Sequence, residues 1–315
     1  MEQIISVILD SGKSALDMAL YMLLPIMVIM LAIMKLLDTR GVLAWISNVL
    51  APISRIAGIP GIGIFAMIKL LFVSFAGPMA SLTLMDRSNI SKRYIASTLA
   101  MVLCMAQANT TFPLAAVGLD IPTVLMSSVI GGLIASSVTY YLITRNFPDE
   151  TTDELMIENL VENKEPATKQ TTIQILNKGG QDGVKIVINM IPMLILALFL
   201  VNVLKQIGAI EWISYILAPL LSQIGLPEST VLPIVTKFIA GGTAFIGVTV
   251  DLMNQGLISV QDLNRMAGFV INPLDVLGVA LFAGLGDRIN SVIRYAVYGA
   301  LVGVVVRGYI HLVIF

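Results

Sequence analysis

Cysteine and histidine are almost absent from this 315-residue chain, with Cys104 and His311 standing alone. A single cysteine excludes an intrachain disulfide, and one of each excludes the paired ligand spacings of a structural zinc site. Charge is scarce as well: 12% of the residues are charged, against about 25% in an average soluble domain. The net charge of −1 gives no global attraction to nucleic acid, so none is expected as a partner. The phosphate-cradling pattern GxxxxGK(S/T) is missing. Met1-Glu2-Gln3 lacks the basic start of a secretory signal, so the first apolar span is expected to serve as its own insertion signal.

What the chain has instead is apolar length. Hydrophobic residues make up 57% of it and the mean hydropathy is +0.90. Stretches 18–37, 117–144, 184–204 and 291–315 approach or exceed the roughly 20 residues that a helix needs to cross a bilayer. They are apolar on all sides and not alternating, which excludes a membrane barrel and leaves helices. The expected class is an all-α, multi-pass integral membrane protein with the lipid bilayer as its first partner.

An internal repeat organises the spans. Pro25, Gly41, Trp45 and Ser47 recur 167 residues later as Pro192, Gly208, Trp212 and Ser214. Leu50-Ala51-Pro52 recurs as Leu217-Ala218-Pro219, and Gly58 and Pro60 as Gly225 and Pro227. After a one-residue slip Lys69 meets Lys237. The chain therefore divides into a first repeat (1–146), an acidic linker (147–182) and a second repeat (183–315). The stretch 148–182 holds eight acidic and three basic residues, the composition of a solvated connection.

Each repeat has the same plan. A crossing helix (14–37; 183–206) leads to an amphipathic segment (42–57; 210–224) whose tryptophan suits the membrane interface. An apolar segment follows (60–85; 227–253), broken by Ala76-Gly77-Pro78 and by Ala240-Gly241-Gly242. A pair of spans completes the repeat, the first of them interrupted by polar residues. If the broken apolar segment is a re-entrant hairpin, Lys35, Arg40, Arg55, Arg87, Lys92, Arg93, Arg145, Arg288 and Arg294 fall on one side, and only Lys13, Lys205, Arg265 and Arg307 on the other. If it crosses, the bias disappears. The positive-inside rule thus favours hairpins. The expected fold is two inverted repeats, each with an interfacial helix, a re-entrant helical hairpin and three transmembrane helices. Six crossings result, with the linker cytoplasmic and both termini outside.

Discontinuous helices leave backbone groups unpaired near the midplane, where they can hold polar solutes or ions. The hairpin tips at Gly77 and at Gly241-Gly242 are such places, although glycines also serve close helix packing. Lys69 and Lys237 lie nine or ten residues beyond Pro60 and Pro227, roughly 14 Å along a helix. A cation at the centre of a bilayer costs about 2.5–3.5 kcal/mol on insertion scales. Facing them are the polar interruptions Gln107-Ala108-Asn109-Thr110-Thr111 and Asn272-Pro273-Leu274-Asp275. Asp275 is read as an ion ligand, a proton carrier or the partner of a lysine, and its repeat counterpart is Gln107. The candidate site comprises Lys69, Gly77, Gln107, Asn109, Thr110, Lys237, Gly241, Gly242, Asn272 and Asp275. Two lysines with one carboxylate leave a positive surplus, which suits an anionic or electron-rich solute. Asp86 and Asp251, at the hairpin exits, are assigned to capping. The seventeen methionines are scattered through apolar helices and read as packing.

With two interfacial segments ending Leu-Ala-Pro, a Gly-Pro or Gly-Gly hairpin and a polar-interrupted span after each, the chain resembles the nucleoside-recognition, or Gate, domain proteins. That resemblance implies kinship with spore maturation proteins A and B, with the pore portion of bacterial ferrous iron transporter B and, more remotely, with concentrative nucleoside transporters. It also implies a bacterial inner-membrane location and a solute site between the hairpin tips. Iron is not the expected cargo, because a soft-metal path favours Cys, Met or His ligands over lysines and one Asp. Two functions follow from these readings. One is secondary transport of a small polar or anionic, nucleoside-like solute, without a cofactor but compatible with Na+ or H+ coupling. The other is a non-transport membrane factor in envelope assembly or regulation, working through the linker. No catalytic constellation points to an enzyme, and homo-oligomerisation is left open.

Overall fold

The computed structural model describes residues 2–73, 77–88, 90–148 and 171–315. The linker residues 149–170 and the first hairpin-tip residue, Ala76, lie outside the described residues. Within them the chain is helical, with no strand.

The first repeat begins with α1 (Glu2–Asp17), which a π turn at Met18–Leu23 joins to α2 (Leu24–Thr39). Then come α3 (Val42–Ile56), α4 (Gly61–Phe72), α5 (Gly77–Arg87), α6 (Lys92–Cys104), α7 (Ala108–Ala115) and α8 (Ile121–Ser137), the last running into a π turn at Val138–Ile143. The second repeat comprises α9 (Thr172–Gln206), α10 (Ala209–Gln223), α11 (Val231–Asn254), α12 (Val260–Val270), α13 (Val276–Ala283) and α14 (Asp287–Ile314). Residues 172–182, placed in the linker by their composition, are the first turns of α9. They pack on α2: a Cβ on Gly179 would lie 2.5 Å from Leu31 O, so only glycine allows these backbones to approach so closely.

The sequence repeat is also a repeat of backbone geometry. Gly41 and Gly208 precede α3 and α10 with φ of 79° and 71°. Gly58 and Gly225 follow those helices with φ of 74° and 73°. These left-handed positions are cheap only for glycine, and they turn the chain sharply on both sides of each short helix. Pro60 and Pro227 then start the next segment with nearly identical extended angles, −72°/162° and −71°/158°. Trp45 and Trp212 project from α3 and α10 with 66% and 68% of their surface exposed, as interfacial anchors require.

Six helical stretches are long and apolar enough to cross a membrane: Ile5–Thr39, Lys92–Ala115, Ile121–Ile143, Thr172–Leu204, Glu228–Asn254 and Asp287–Ile314. The number agrees with the expectation, but the membership differs. Glu228–Asn254 qualifies by length, although its backbone leaves helical geometry at Gly241 (φ 82°, ψ −178°). The polar-interrupted span of the second repeat is two helices, α12 and α13, separated by residues 271–275. In the first repeat α4 and α5 are separate helices packed against each other. At the centre lies α6, buried from Ile95 to Cys104 and packed between α8 and α14.

Candidate functional site

The second repeat's break builds a densely partnered polar cluster. Helix α12 ends at Val270, and the chain runs irregularly through Asn272-Pro273-Leu274 before Asp275 caps α13. Pro273 supplies no N–H, and a residue preceding proline disfavours helix, which accounts locally for the interruption. Asp275 Oδ1 accepts from Gly278 N at 2.7 Å, an N-cap that satisfies one of the orphan donors of α13. Asn272 Nδ2 donates to Phe269 O at 2.8 Å, which turns its Oδ1 inward. That oxygen accepts from Leu274 N at 3.1 Å and from Lys237 Nζ at 2.7 Å.

Lys237 is fully buried. Its ammonium also donates to Leu274 O at 2.6 Å and stands 3.7 Å from Asp275 Oδ2. At that separation and an effective dielectric near 20, the attraction is on the order of 4 kcal/mol before desolvation. The assignment of Asp275 as a lysine partner therefore fits Lys237.

Lys69, the counterpart in the first repeat, does not repeat this arrangement. It is half-buried, and its ammonium has no hydrogen bond or ion pair among the described residues. Gly77 lies against it, since a Cβ there would sit 2.7 Å from Lys69 Cβ and 3.0 Å from its carbonyl oxygen. The expectation that both lysines flank Asp275 is corrected on this geometry. Gly77 provides close approach between α4 and α5, and Lys69 is held within that pair.

A cavity of about 350 Å³ opens beside the charged cluster, lined among others by Gln107, Asn109, Gly241, Gly242, Thr243 and Asp275. Five of the ten candidate residues line it. Thr110 adjoins: a Cβ on Gly242 would lie 2.7 Å from its Oγ1 and 2.6 Å from Gln107 Nε2. The Thr110 hydroxyl is buried without a partner among the described residues. Lys237 and Asn272 stand behind Asp275. Lys69 and Gly77 are not among the lining residues. The volume suits a small solute, and such pockets fall in the range of about 300–1,000 Å³. Gly241 and Gly242 leave space and bare backbone on one wall, Gln107, Asn109, Thr243 and Asp275 bring polar groups to it, and Ala240, Leu277 and Leu281 make much of the remaining lining apolar.

Sequence reasoning missed Arg307. The charge count places it on the outer side, whereas the structure buries it completely inside α14. Its Nη1 donates to Cys104 O, at the end of α6, and to Ile271 O at 2.9 Å, at the end of α12. One guanidinium thus ties together the C-terminal ends of both interrupted helices, where orphan carbonyls and the helix dipole favour a cation. Its Nε and Nη2 are buried without partners among the described residues. Counted by formal charges, Arg307 and Lys237 against Asp275 give the cluster one more cation than anion. A lone Arg eight residues from the end of an apolar run was the available signal. An intramembrane cation is read as functional by default, and the run's length hid it as a flanking charge.

The two capping aspartates differ. Asp86 Oδ1 accepts from Ile289 N at 2.9 Å, capping the first turn of α14 from across the molecule. Asp251 accepts from Gln255 Nε2 within its own helix end. Among the described residues no group of three His, Cys, Asp or Glu side chains converges as a metal would require.

This multi-span helical fold, with interrupted helices meeting at a cavity, is shared with solved structures of concentrative nucleoside transporters. A CNTnw variant in an outward-facing state matches 99% of this chain and 83% of its own length, with a TM-score of 0.70 at 14% identity. CNTnw in an inward-facing substrate-bound state matches 99% and 82%, with a TM-score of 0.66 at 13% identity. At this identity the likeness concerns the fold. Residues 187–290 match the family model described as nucleoside recognition (Gate). Spore maturation protein B of Bacillus subtilis (strain 168) is 34% identical over 85 residues, 27% of this chain and 47% of that protein, so the match spans about half of the relative. The resemblance drawn from the repeated motifs is borne out.

Proposed function

We propose that the chain is a secondary transporter that carries a small polar or anionic, nucleoside-like solute across the bacterial inner membrane. The observation that carries this reading is the cavity at Gly241-Gly242, where the two helix breaks meet beside a cluster with one surplus positive charge. Gln107, Asn109 and Thr110 supply amide and hydroxyl groups for a polar solute, the glycines let it approach the backbone, and Lys237 and Arg307 set the electrostatic bias. Lys69 and Gly77 enter the proposal as packing of the opposite hairpin. Coupling to Na+ or H+ belongs to the same proposal, as does transport rather than catalysis. The Gate match and the shared transporter fold support it.

The repeats are proposed to be inverted, with the linker cytoplasmic. Arg307 leaves the charge count, and the remaining outer set of Lys13, Lys205 and Arg265 against ten inner residues, with Lys185 beside the linker added, strengthens the bias. Cys104 is buried, so introduced cysteines report cleanly. Arg87→Cys and a cysteine in the linker are expected to be labelled from the cytoplasm only, and Gln255→Cys from outside only. Labelling of the Arg87 and Gln255 positions from one side rules out inverted repeats.

The match to spore maturation protein B favours a second reading, a membrane factor in envelope assembly that works through the acidic linker. Deleting 149–170 separates the two. Solute uptake by the reconstituted variant survives under the transport reading, whereas an envelope phenotype with no uptake by either form supports the second.

A further inference from the structure

The surroundings of the Lys237 ammonium have the chemistry of a monovalent-cation site. Three kinds of oxygen converge on it: the Asn272 amide at 2.7 Å, the Leu274 carbonyl at 2.6 Å and the Asp275 carboxylate at 3.7 Å. Carbonyl oxygens released where a membrane helix unwinds, joined by an amide and a carboxylate, are the donor set that such breaks offer to Na+. This set is held by contacts independent of the lysine. Asn272 is oriented by Phe269 O and Leu274 N, and Asp275 by Gly278 N. The ammonium arrives from a different element, α11, four residues before its break at Gly241. Arg307 acts in the same way on the neighbouring Ile271 O, and it reaches Cys104 O in the other break.

We propose that Lys237 is a tethered cation: its ammonium occupies a monovalent-cation site formed by Asn272, Leu274 and Asp275, so that no dissolved Na+ is taken up at this break. Since α11 carries both Lys237 and Gly241, the tether also links the glycine wall of the cavity to the 271–275 segment. The inference narrows the coupling question within the transport reading, and its test needs no solute, so either idea can fail alone.

Lysine is the only one of the four groups that removal converts into a vacant cation site. Purified full-length wild type, Lys237→Ala and Lys69→Ala are compared by thermal unfolding in choline chloride, NaCl and methylammonium chloride at equal ionic strength. Wild type and Lys69→Ala are expected to melt at the same temperature in all three salts. Lys237→Ala is expected to melt lower in choline and to regain roughly 2–4 °C in NaCl or methylammonium, a shift typical of one modestly saturated site. A Lys237→Ala response no larger than that of wild type overturns the proposal. Should Lys237→Ala not purify in choline, recovery in the presence of either cation supports the tether. If it purifies in none of the three salts, the double variant Lys237→Ala/Asp275→Asn decides. A folded double variant supports charge compensation at a cation site, and one that also fails to fold makes the lysine a packing element and overturns the proposal.

Discussion

The break at 105–107 between α6 and α7 and the break at 271–275 between α12 and α13 hold corresponding places in the repeat, yet they are stabilised by different means. The first has no ionisable residue of its own and is braced by its neighbours: Ala106 N donates to Ser128 Oγ at 3.1 Å, and Arg307 holds the Cys104 carbonyl. Its Gln107 opens α7 without a side-chain cap. The second carries its own charge, with Asp275 as cap and Lys237 as counter-cation. The backbone plan is shared, while Asp275 and Lys237 give the second break a charged pair that the first lacks. Lys69 and Lys237 are thus the same residue type at the same register in two environments, one half-buried and the other fully buried with three oxygen neighbours.

The comparison breaks most sharply at those lysines. Lys237→Met strands the Asp275 carboxylate in a buried site and is expected to cost about 3–5 kcal/mol in denaturant unfolding of the detergent-solubilised protein. Lys69→Met removes no ionic partner among the described residues and is expected to cost less than about 1 kcal/mol. Equal losses would restore the symmetry that the geometry denies.

Arg307 serves both halves, so its loss is expected to damage both breaks. Arg307→Met leaves the Cys104 and Ile271 carbonyls buried without their donor, a cost of about 2–6 kcal/mol at roughly 1–3 kcal/mol for each of the two unsatisfied groups. Arg307→Lys keeps a cation but not the planar guanidinium, and should recover some of that loss in the same measurement. An unfolding midpoint for Arg307→Met equal to that of wild type would show that the guanidinium bridges nothing of consequence.

The smallest effects are expected where the halves agree. Trp45→Ala and Trp212→Ala remove exposed interfacial anchors with the same backbone setting, and each should change stability by less than about 1 kcal/mol. Thermal unfolding in lipid nanodiscs that separates the two variants by more than that would place one of the tryptophans in a contact the other lacks.

Much of this architecture was legible because it rests on residues with few alternatives. Gly41, Gly58 and their counterparts adopt backbone angles that favour glycine, Pro60 and Pro227 set the following segment, and each pair recurs at a fixed interval. The polar interruptions at 107–111 and 272–275 were visible against an apolar background, and both meet at the cavity. What sequence could not provide was the asymmetry. Equal spacing placed Lys69 beside Asp275, but whether a long flexible side chain reaches a carboxylate depends on how two helices pack, and Gly77 draws α5 against Lys69. Arg307 escaped because its role is set by two carbonyls far away in the chain, and backbone acceptors leave no mark in a sequence.

The transport proposal takes the cavity walled by Gly241 and Gly242 as the solute path. A Cβ at Gly242 would intrude within 2.6 Å of Gln107 Nε2, so Gly242→Val narrows the cavity itself, whereas Gly77→Val strains only the α4–α5 contact. The direct measurement is uptake of nucleosides, nucleobases, amino acids and organic anions into proteoliposomes holding equal amounts of folded wild type or Gly242→Val. Wild type is expected to take up at least one of these classes, and Gly242→Val to lower that uptake at least about tenfold, the change produced by roughly 1.4 kcal/mol at the site. Equal uptake by both proteins, or uptake of no class by wild type, would contradict a path through this cavity.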